Sequence, residues 1–321
     1  MVRYLVLRLL QSGLILIVMS FAVYALIGLM PGDPVDLMIS ADPRVTSEDA
    51  ASLRALYGLD RPIFERYAHW LADAVGGDFG YSRLHAAPVL DVLMPAIGNT
   101  AVLMGASLAL SVALALPAGF AAAARPYSRF DYVVNIVAFA GISVPSFWLA
   151  LLLIMVFAVI LGWLPAGGMG TVGAGGLADQ LRFLALPVLS LTLASVGSHI
   201  RYARAAMIDT LRQDHIRTAR AKGLAEGRVV VAHALRNAMI PVATILALDF
   251  GTLFSGALVT ETIFAYPGMG KLIFDAIMGN DFNLALVALL FATVVTLFGN
   301  LLADFAYVWL DPRLSLREVE A

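Results

Sequence analysis

Cysteine is absent from all 321 residues. Disulfides, thiolate metal sites and cysteine nucleophiles are therefore excluded. Charge is also scarce: 14% of the residues are Asp, Glu, Lys or Arg, where a soluble domain carries about 25%. With 60% hydrophobic residues, the chain reads as an all-α polytopic membrane protein. The net charge of −2 says little, because the signs are segregated along the sequence. The five histidines, His69, His85, His199, His215 and His233, show no paired metal-ligand spacing. No His-Glu-x-x-His pair and no Gly-x-Ser-x-Gly turn occurs, so the common hydrolase patterns are missing. A phosphate loop is missing too. Its nearest approach, Ala265-Tyr-Pro-Gly-Met-Gly-Lys271-Leu272, lacks the first glycine and the final Ser or Thr. No cofactor is expected in this chain; if ATP and Mg drive it, partner subunits must bind them. Otherwise an ion gradient supplies the energy.

What is present is a series of long apolar runs. Crossing roughly 30 Å of hydrocarbon takes about 20 such residues in a helix. Six spans are expected, at about 9–30, 98–123, 132–162, 183–200, 239–260 and 284–310. The first run, Leu9 to Gly32, is too long for a signal-peptide core and ends in Met-Pro-Gly-Asp, so it reads as a retained span. Pro117 and Pro145 fall inside spans, where neighbouring helices can satisfy the freed carbonyls.

The loops set the orientation. Arg3 and Arg8 place the N-terminus in the cytoplasm, as do Arg125 and Arg129 for the next short turn. Between Arg201 and Arg236 lie eight Lys or Arg (201, 204, 212, 217, 220, 222, 228, 236) against Asp209, Asp214 and Glu226. Asp33 to Asp91 holds ten acids and five Arg, which suits the outside. Both termini are expected inside. Within the outer segment, one helix-like stretch opens at Thr46 and ends at Gly58; a second runs from Pro62 to Val75, closed by Gly76-Gly77. They are expected to lie at the membrane surface, packed on the spans or against a partner.

The basic loop carries its own pattern. Asp209 to Lys222 lacks Pro and Gly, and Ile208, Leu211, Ile216 and Ala219 fall near one helical face. Lys222 then Gly223 is a cation-and-glycine helix ending. A second helix is expected from Ala225 to Ala238, with Pro241 opening the next span. Charge alone would fit equally a loop that only sets topology or binds anionic headgroups. A structured helical loop there also offers a surface for docking a soluble partner.

That segment, Arg217-Thr-Ala-Arg-Ala-Lys-Gly223 followed by His233-Ala-Leu-Arg-Asn-Ala238 and Pro241, resembles the cytoplasmic loop of permease subunits of binding-protein-dependent ABC importers, in the dipeptide/oligopeptide/nickel branch. Further matches follow in order: Pro31-Gly-Asp-Pro-Val, Tyr57-Gly-Leu-Asp-Arg-Pro, Gly77-Asp-Phe-Gly-Tyr-Ser, Ser143-Val-Pro-Ser-Phe-Trp148, Gly162-Trp-Leu-Pro-Ala-Gly167, Glu261-Thr-Ile-Phe-Ala-Tyr-Pro-Gly-Met-Gly270 and Leu310-Asp-Pro-Arg313. Each is weak alone; in series over essentially the whole chain they are specific. Departures are His215, where the family has Tyr, and Asn280 and Asn283, where it has Arg and Pro.

The resemblance implies a type I ABC importer transmembrane fold with a small extracytoplasmic insert. Its expected division is an N-terminal helix (1–30), an extracytoplasmic segment (31–94), a permease domain (95–305, coupling loop about 201–240) and a tail (306–321). It also implies a bacterial inner-membrane location, a second homologous permease, two ATP-binding subunits and an extracytoplasmic substrate-binding protein. The cargo would be a peptide, a related small solute or nickel, moved through a path shared with the second permease. Arg217, Thr218, Ala219, Arg220, Ala221, Lys222 and Gly223 would form the ATPase-coupling element.

Two intramembrane acids remain. Asp304 matches the family's pattern and is expected as a structural partner of a basic group. Asp249 does not match it: it either lines the path or pairs across a subunit interface. Both keep alive a different class, an ion-coupled secondary transporter, although inverted repeats with paired broken helices are not evident. A structural membrane scaffold is a third class.

Overall fold

The computed structural model describes residues 2–29, 60–173, 176–252 and 257–310, excepting the side chains of 2–5, 247, 248, 250–252 and 303–310. The expected helix from Thr46 to Gly58 and the motifs at Pro31 and Asp311–Arg313 lie outside the described residues. Two compact units divide the chain: Met1–Ile97 with Leu272–Val295, and Gly98–Lys271 with Thr296–Ala321.

The elements in chain order are α1 (Val2–Gly28), α2 (Ile63–Val75), a short hairpin of β1 (Tyr81–Ser82) and β2 (Ala87–Pro88), α3 (Val89–Ala124), α4 (Arg129–Ser143), and α5 (Ser146–Leu153) running into π-helical turns over Ile154–Ile160. They continue with α6 (Leu177–Leu211), α7 (Asp214–Ala221), α8 (Glu226–Arg228), π-helical Val229–Ala234, α9 (Leu235–Thr252), α10 (Leu258–Ile263), α11 (Met269–Met278) and α12 (Phe282–Leu310).

Five helices among the described residues are long and apolar enough to cross a membrane, or six if one bent pair counts as a single span. The bent pair falls on the expected span at 132–162: α4 and the helix that starts at Ser146 meet at 99°. Pro145 is the cause. Val144 before it is held extended, at φ −91° and ψ 125°, because a proline ring disfavours helical geometry in the preceding residue. Other ends shift as well. The run at 98–123 is part of a 36-residue helix from Val89, and the run at 183–200 is part of a 35-residue helix from Leu177 to Leu211. Pro241 does not open a span but sits inside α9.

In the first unit, α2 lies on α1 through aromatic contacts. Phe21 stacks on Phe64 at 5.2 Å between centroids, and Tyr67 packs edge-on against Phe21 and Tyr24. Ser20 and the Tyr67 hydroxyl share a 2.6 Å hydrogen bond. The second sequence-expected surface helix is thus a cap on the first span. The hairpin is tied down by buried Asp281, which accepts from the Ser82 hydroxyl (2.6 Å) and the Leu84 amide (3.0 Å). Its other oxygen caps α12 through the Leu284 amide at 3.2 Å. Two departures from the family pattern find a role here: Asn280 adopts φ +52°, a region asparagine tolerates better than most residues, and the Asn283 amide donates to the Tyr81 carbonyl at 3.3 Å.

In the second unit α6 is the central helix, because small residues let its neighbours come close. A Cβ on Gly197 would collide with the Ala138 carbonyl of α4, and one on Gly119 of α3 would lie 2.7 Å from the Ile200 carbonyl. One end of α4 is fastened to α6 by an ion pair. Asp131, capped into place by Ser128, receives Arg204 Nε at 2.6 Å and Nη2 at 2.7 Å. Such a planar two-bond fork fixes orientation as well as distance.

Candidate functional site

The expected coupling helix is not continuous with α6. The chain breaks at Arg212-Gln213 and restarts as α7, whose Ile216 and Ala219 are buried. Both pack into a cluster with Ala123, Met207, Val229, Ala234 and Ala238. The apolar periodicity seen in the sequence is therefore real, but its stripe faces this chain's own core. Ala219, 6% exposed, packs on that core.

The end of α7 is a reciprocal pair of backbone bonds around a left-handed glycine. The Leu224 amide reaches the Ala219 carbonyl at 3.4 Å and the Gly223 amide the Arg220 carbonyl at 2.9 Å. Gly223 has φ +78°, and Leu224 drops onto the same apolar cluster. Arg220 then grips Glu226 across the turn at 3.0 and 2.6 Å. What α7 leaves outward is polar: His215, Arg217, Thr218, Arg220 and Lys222 are exposed, with Ala221 and Gly223 beside them. Arg217 leans on Asp214 at 3.4 Å. His215 Nε2 accepts from the Asn237 side-chain amide at 3.2 Å.

Deep in the same unit, Asp249 on α9 is 2.6 Å from His199 Nε2 on α6. The other ring nitrogen of His199 meets the Ser111 hydroxyl of α3 at 2.7 Å. Ser195, one turn before His199, donates to Ser111 at 3.2 Å. His199 was visible in the sequence only as a histidine without metal-ligand spacing. Its partners lie 50 and 88 positions away, and no local spacing could reveal them. The side chain of Asp304, on α12, lies outside the described residues.

A third constellation was missed: Glu261 on α10 is fully buried. The Thr100 hydroxyl donates to it at 2.5 Å and the Lys271 amide at 3.0 Å. A Cβ on Gly268 would strike its carboxyl group. Thr100 in turn accepts from the Met269 amide at 2.8 Å, and Asn99 donates to the Pro267 carbonyl at 2.8 Å. Burial pushes the Glu261 carboxyl upward, opposed by the Thr100 hydrogen bond. Burial also raises Tyr266, with the nearby Glu261 charge adding to it. The other glycine-rich word abuts this loop: the Gly168 amide bonds the Phe264 carbonyl at 2.8 Å, and a Cβ on Gly167 would collide with that carbonyl. The sequence signal was an acid followed by Pro-Gly-x-Gly. The amides of this stretch are turned onto Glu261 rather than toward a phosphate.

These features meet a direct match. Residues 115–316 fit the family described as binding-protein-dependent transport system inner membrane component, and residues 1–104 fit its N-terminal companion. The chain belongs to this family: it is a permease subunit of an ABC importer, with the type I fold, and a multi-pass inner-membrane protein. Among its relatives are the oligopeptide transport system permease protein AppB of Bacillus subtilis, 39% identical over 98% of this chain and all of that protein, and the glutathione transport system permease protein GsiC of Escherichia coli K12, 37% identical over 99% of this chain and all of that protein. Family membership decides among the three classes left open by the sequence, against the secondary transporter and the scaffold.

Proposed function

We propose that this subunit imports peptides, pairing with a second permease to form the path and with two ATP-hydrolysing subunits that seat on the outward face of α7. The observation that carries this reading is the division of α7 into two faces. An apolar underside fixes the helix to its own bundle, and a polar upper side is held ready by Gly223 and the Arg220–Glu226 pair. A docking surface must survive without its partner, and this one is anchored independently of it. ATP and Mg belong to the partner subunits, since the glycine-lysine stretch of this chain is committed to Glu261. A binding protein delivers cargo on the opposite side, where 31–94 lies, and both termini are cytoplasmic. Asp249 lines the path. The relatives named for oligopeptides and glutathione point to peptide cargo; among the described residues no group of three or more side chains that could hold a metal such as nickel gathers.

The test uses the cysteine-free background. Single cysteines at Asp73 and at Thr218, both exposed, should label with an impermeant thiol reagent from opposite sides of the membrane. Uptake of a labelled peptide into vesicles holding the assembled importer should stop without ATP and persist with an uncoupler. Labelling of both positions from one side, or uptake that survives ATP removal, overturns the reading.

A further inference from the structure

The links between α7 and the membrane helix α9 differ in kind. Along the chain the link is loose: left-handed Gly223, then Leu224-Ala225 and the three-residue α8, which contains Gly227. Through the core it is apolar, since Ile216 and Ala219 of α7 share a cluster with Val229, Ala234 and Ala238. Such contact resists separation but is non-directional, so it fixes no rotation. The directional link is Asn237, in the first turn of α9. Its amide nitrogen lies 2.8 Å from the His233 carbonyl and 3.2 Å from His215 Nε2 on α7. A carbonyl can only accept, so the His233 oxygen settles which end of the amide is the nitrogen. That nitrogen can only donate, so Nε2 of His215 is the acceptor and both amide hydrogens are used. The His233 carbonyl itself belongs to the π-helical run Val229–Ala234, whose wide winding shows in the bond from the Leu235 amide to the Val230 carbonyl. A π turn holds more residues than an α turn, so a change in its winding rotates everything that follows it.

We propose that Asn237 keys α7 to α9: through its paired bonds to His215 and to the His233 carbonyl, a displacement of α7 turns the start of the membrane helix with it. The inference rests on the reading above, in which ATPase subunits seat on α7, and adds to it the positioning residue that passes their motion on. Asn237 touches neither cargo nor nucleotide. It holds one point of α7 against one point of the π run, where the apolar cluster alone would let the two slip. His215 and Asn237 are exposed in this subunit. A seated ATPase that excludes water from them strengthens the bond, because water no longer competes for its donor and acceptor.

The cysteine-free chain lets the motion be read on α9 itself. Thr244→Cys places one thiol about two turns beyond Asn237. In the assembled importer, with partner cysteines replaced, its rate of reaction with a small maleimide should change when ATP and vanadate trap the ATPases. Asn237→Ala and His215→Leu, each scored per bound ATPase, should shrink that ATP-driven change about two- to thirtyfold. The two together should do no more than either alone, as for one interaction removed twice. His215→Gln, whose side-chain oxygen can stand in for Nε2, should keep the change. Asn237→Ala should leave Tm and ATPase recovery at the parent values, which a merely structural prop would lower. The proposal is overturned by a parent without an ATP-driven change at Thr244→Cys, or by variants that leave that change intact. It is overturned equally by His215→Gln as damaging as His215→Leu, or by Asn237→Ala that loses its ATPases. Peptide uptake in the same vesicles keeps the cargo reading separate: a parent that moves no peptide yet shows the keyed change removes peptides as cargo and leaves Asn237 its role.

Discussion

The loop around α7 and the loop around α10 are both short helices with apolar undersides, yet a buried carboxylate holds only the second. Under α7 lies an apolar cluster of Ile216, Ala219, Met207 and Val229, with charges kept outside. Under α10 a buried carboxylate, Glu261, with donors arranged around it, is added to an apolar cluster that takes in Ile263 and Phe264. Apolar anchoring is non-directional and degrades gradually. A buried hydrogen-bonded acid is directional, and losing one partner strands the others. The α10 loop therefore has one shape, and its glycines are there to permit that shape. The α7 loop separates what holds it from what it shows. Substitutions should consequently act on folding at α10, and at α7 on folding or on partner binding according to the face they occupy.

The contrast can be broken most directly at α10. Gly167→Ala drives a methyl group into the Phe264 carbonyl, which is backbone and cannot swing aside. A loss of roughly 3 kcal/mol is expected, read as a lower Tm of the purified subunit and a poor yield of assembled importer. Glu261→Ala should cost about as much, roughly 3 kcal/mol, because it leaves the Thr100 hydroxyl and the Lys271 amide without their acceptor. The acid also gives a pH signature. Since burial raises its pKa above the ordinary 4.5, the folded state holds the proton more tightly than the unfolded chain. That contribution is fully present below the unfolded value and is lost as pH rises through the folded one. Tm should thus fall with rising pH from the ordinary carboxylate value upward, and Glu261→Gln should flatten this slope.

At α7 the two faces can be set against each other. Ala219→Glu buries an unpaired charge in the cluster and should lower Tm and ATPase recovery together. Thr218→Trp, on the exposed face, should leave Tm unchanged and lose the co-purified ATPases. Equal behaviour of the two would erase the distinction between anchor and display. Gly223→Val forces a branched side chain into φ +78° and should cost about 1–2 kcal/mol, with partial loss of ATPase binding. Smallest of all is Arg220→Ala. Its pair with Glu226 is exposed on both sides, so about 0–1 kcal/mol is expected, less in high salt.

The sequence made the membrane class, the number of apolar runs and the α7 helix legible because each leaves a local trace: run length, charge segregation, a Lys-Gly stop. Gly223 is the clearest case, since a glycine after a cation already implies the left-handed turn found there. What stayed hidden was non-local. Nothing near Glu261 announces Thr100, which lies 161 positions away. Nothing near Asp249 points to His199. The inward turn of Ala219 was hidden for a different reason: periodicity shows that a helix has an apolar face but not whose core will cover it. The bend at Pro145 lay between these cases. The proline was plain, but whether neighbouring helices would absorb it inside a straight span was a tertiary matter.

The unbroken length of α6 has a mechanical consequence. Thirty-five residues make a rod of about 52 Å. Its far end leads through Arg212-Gln213 straight into α7, and His199 sits along its shaft. Gly197 leaves no side-chain cushion against α4, and Arg204 pins the two helices to each other near the end, so they have little room to slide independently. A tilt of only about 5° would sweep one tip of such a rod some 4–5 Å relative to the other. A push on α7 that tilted this rod would therefore carry His199, the partner of Asp249, along with the shaft.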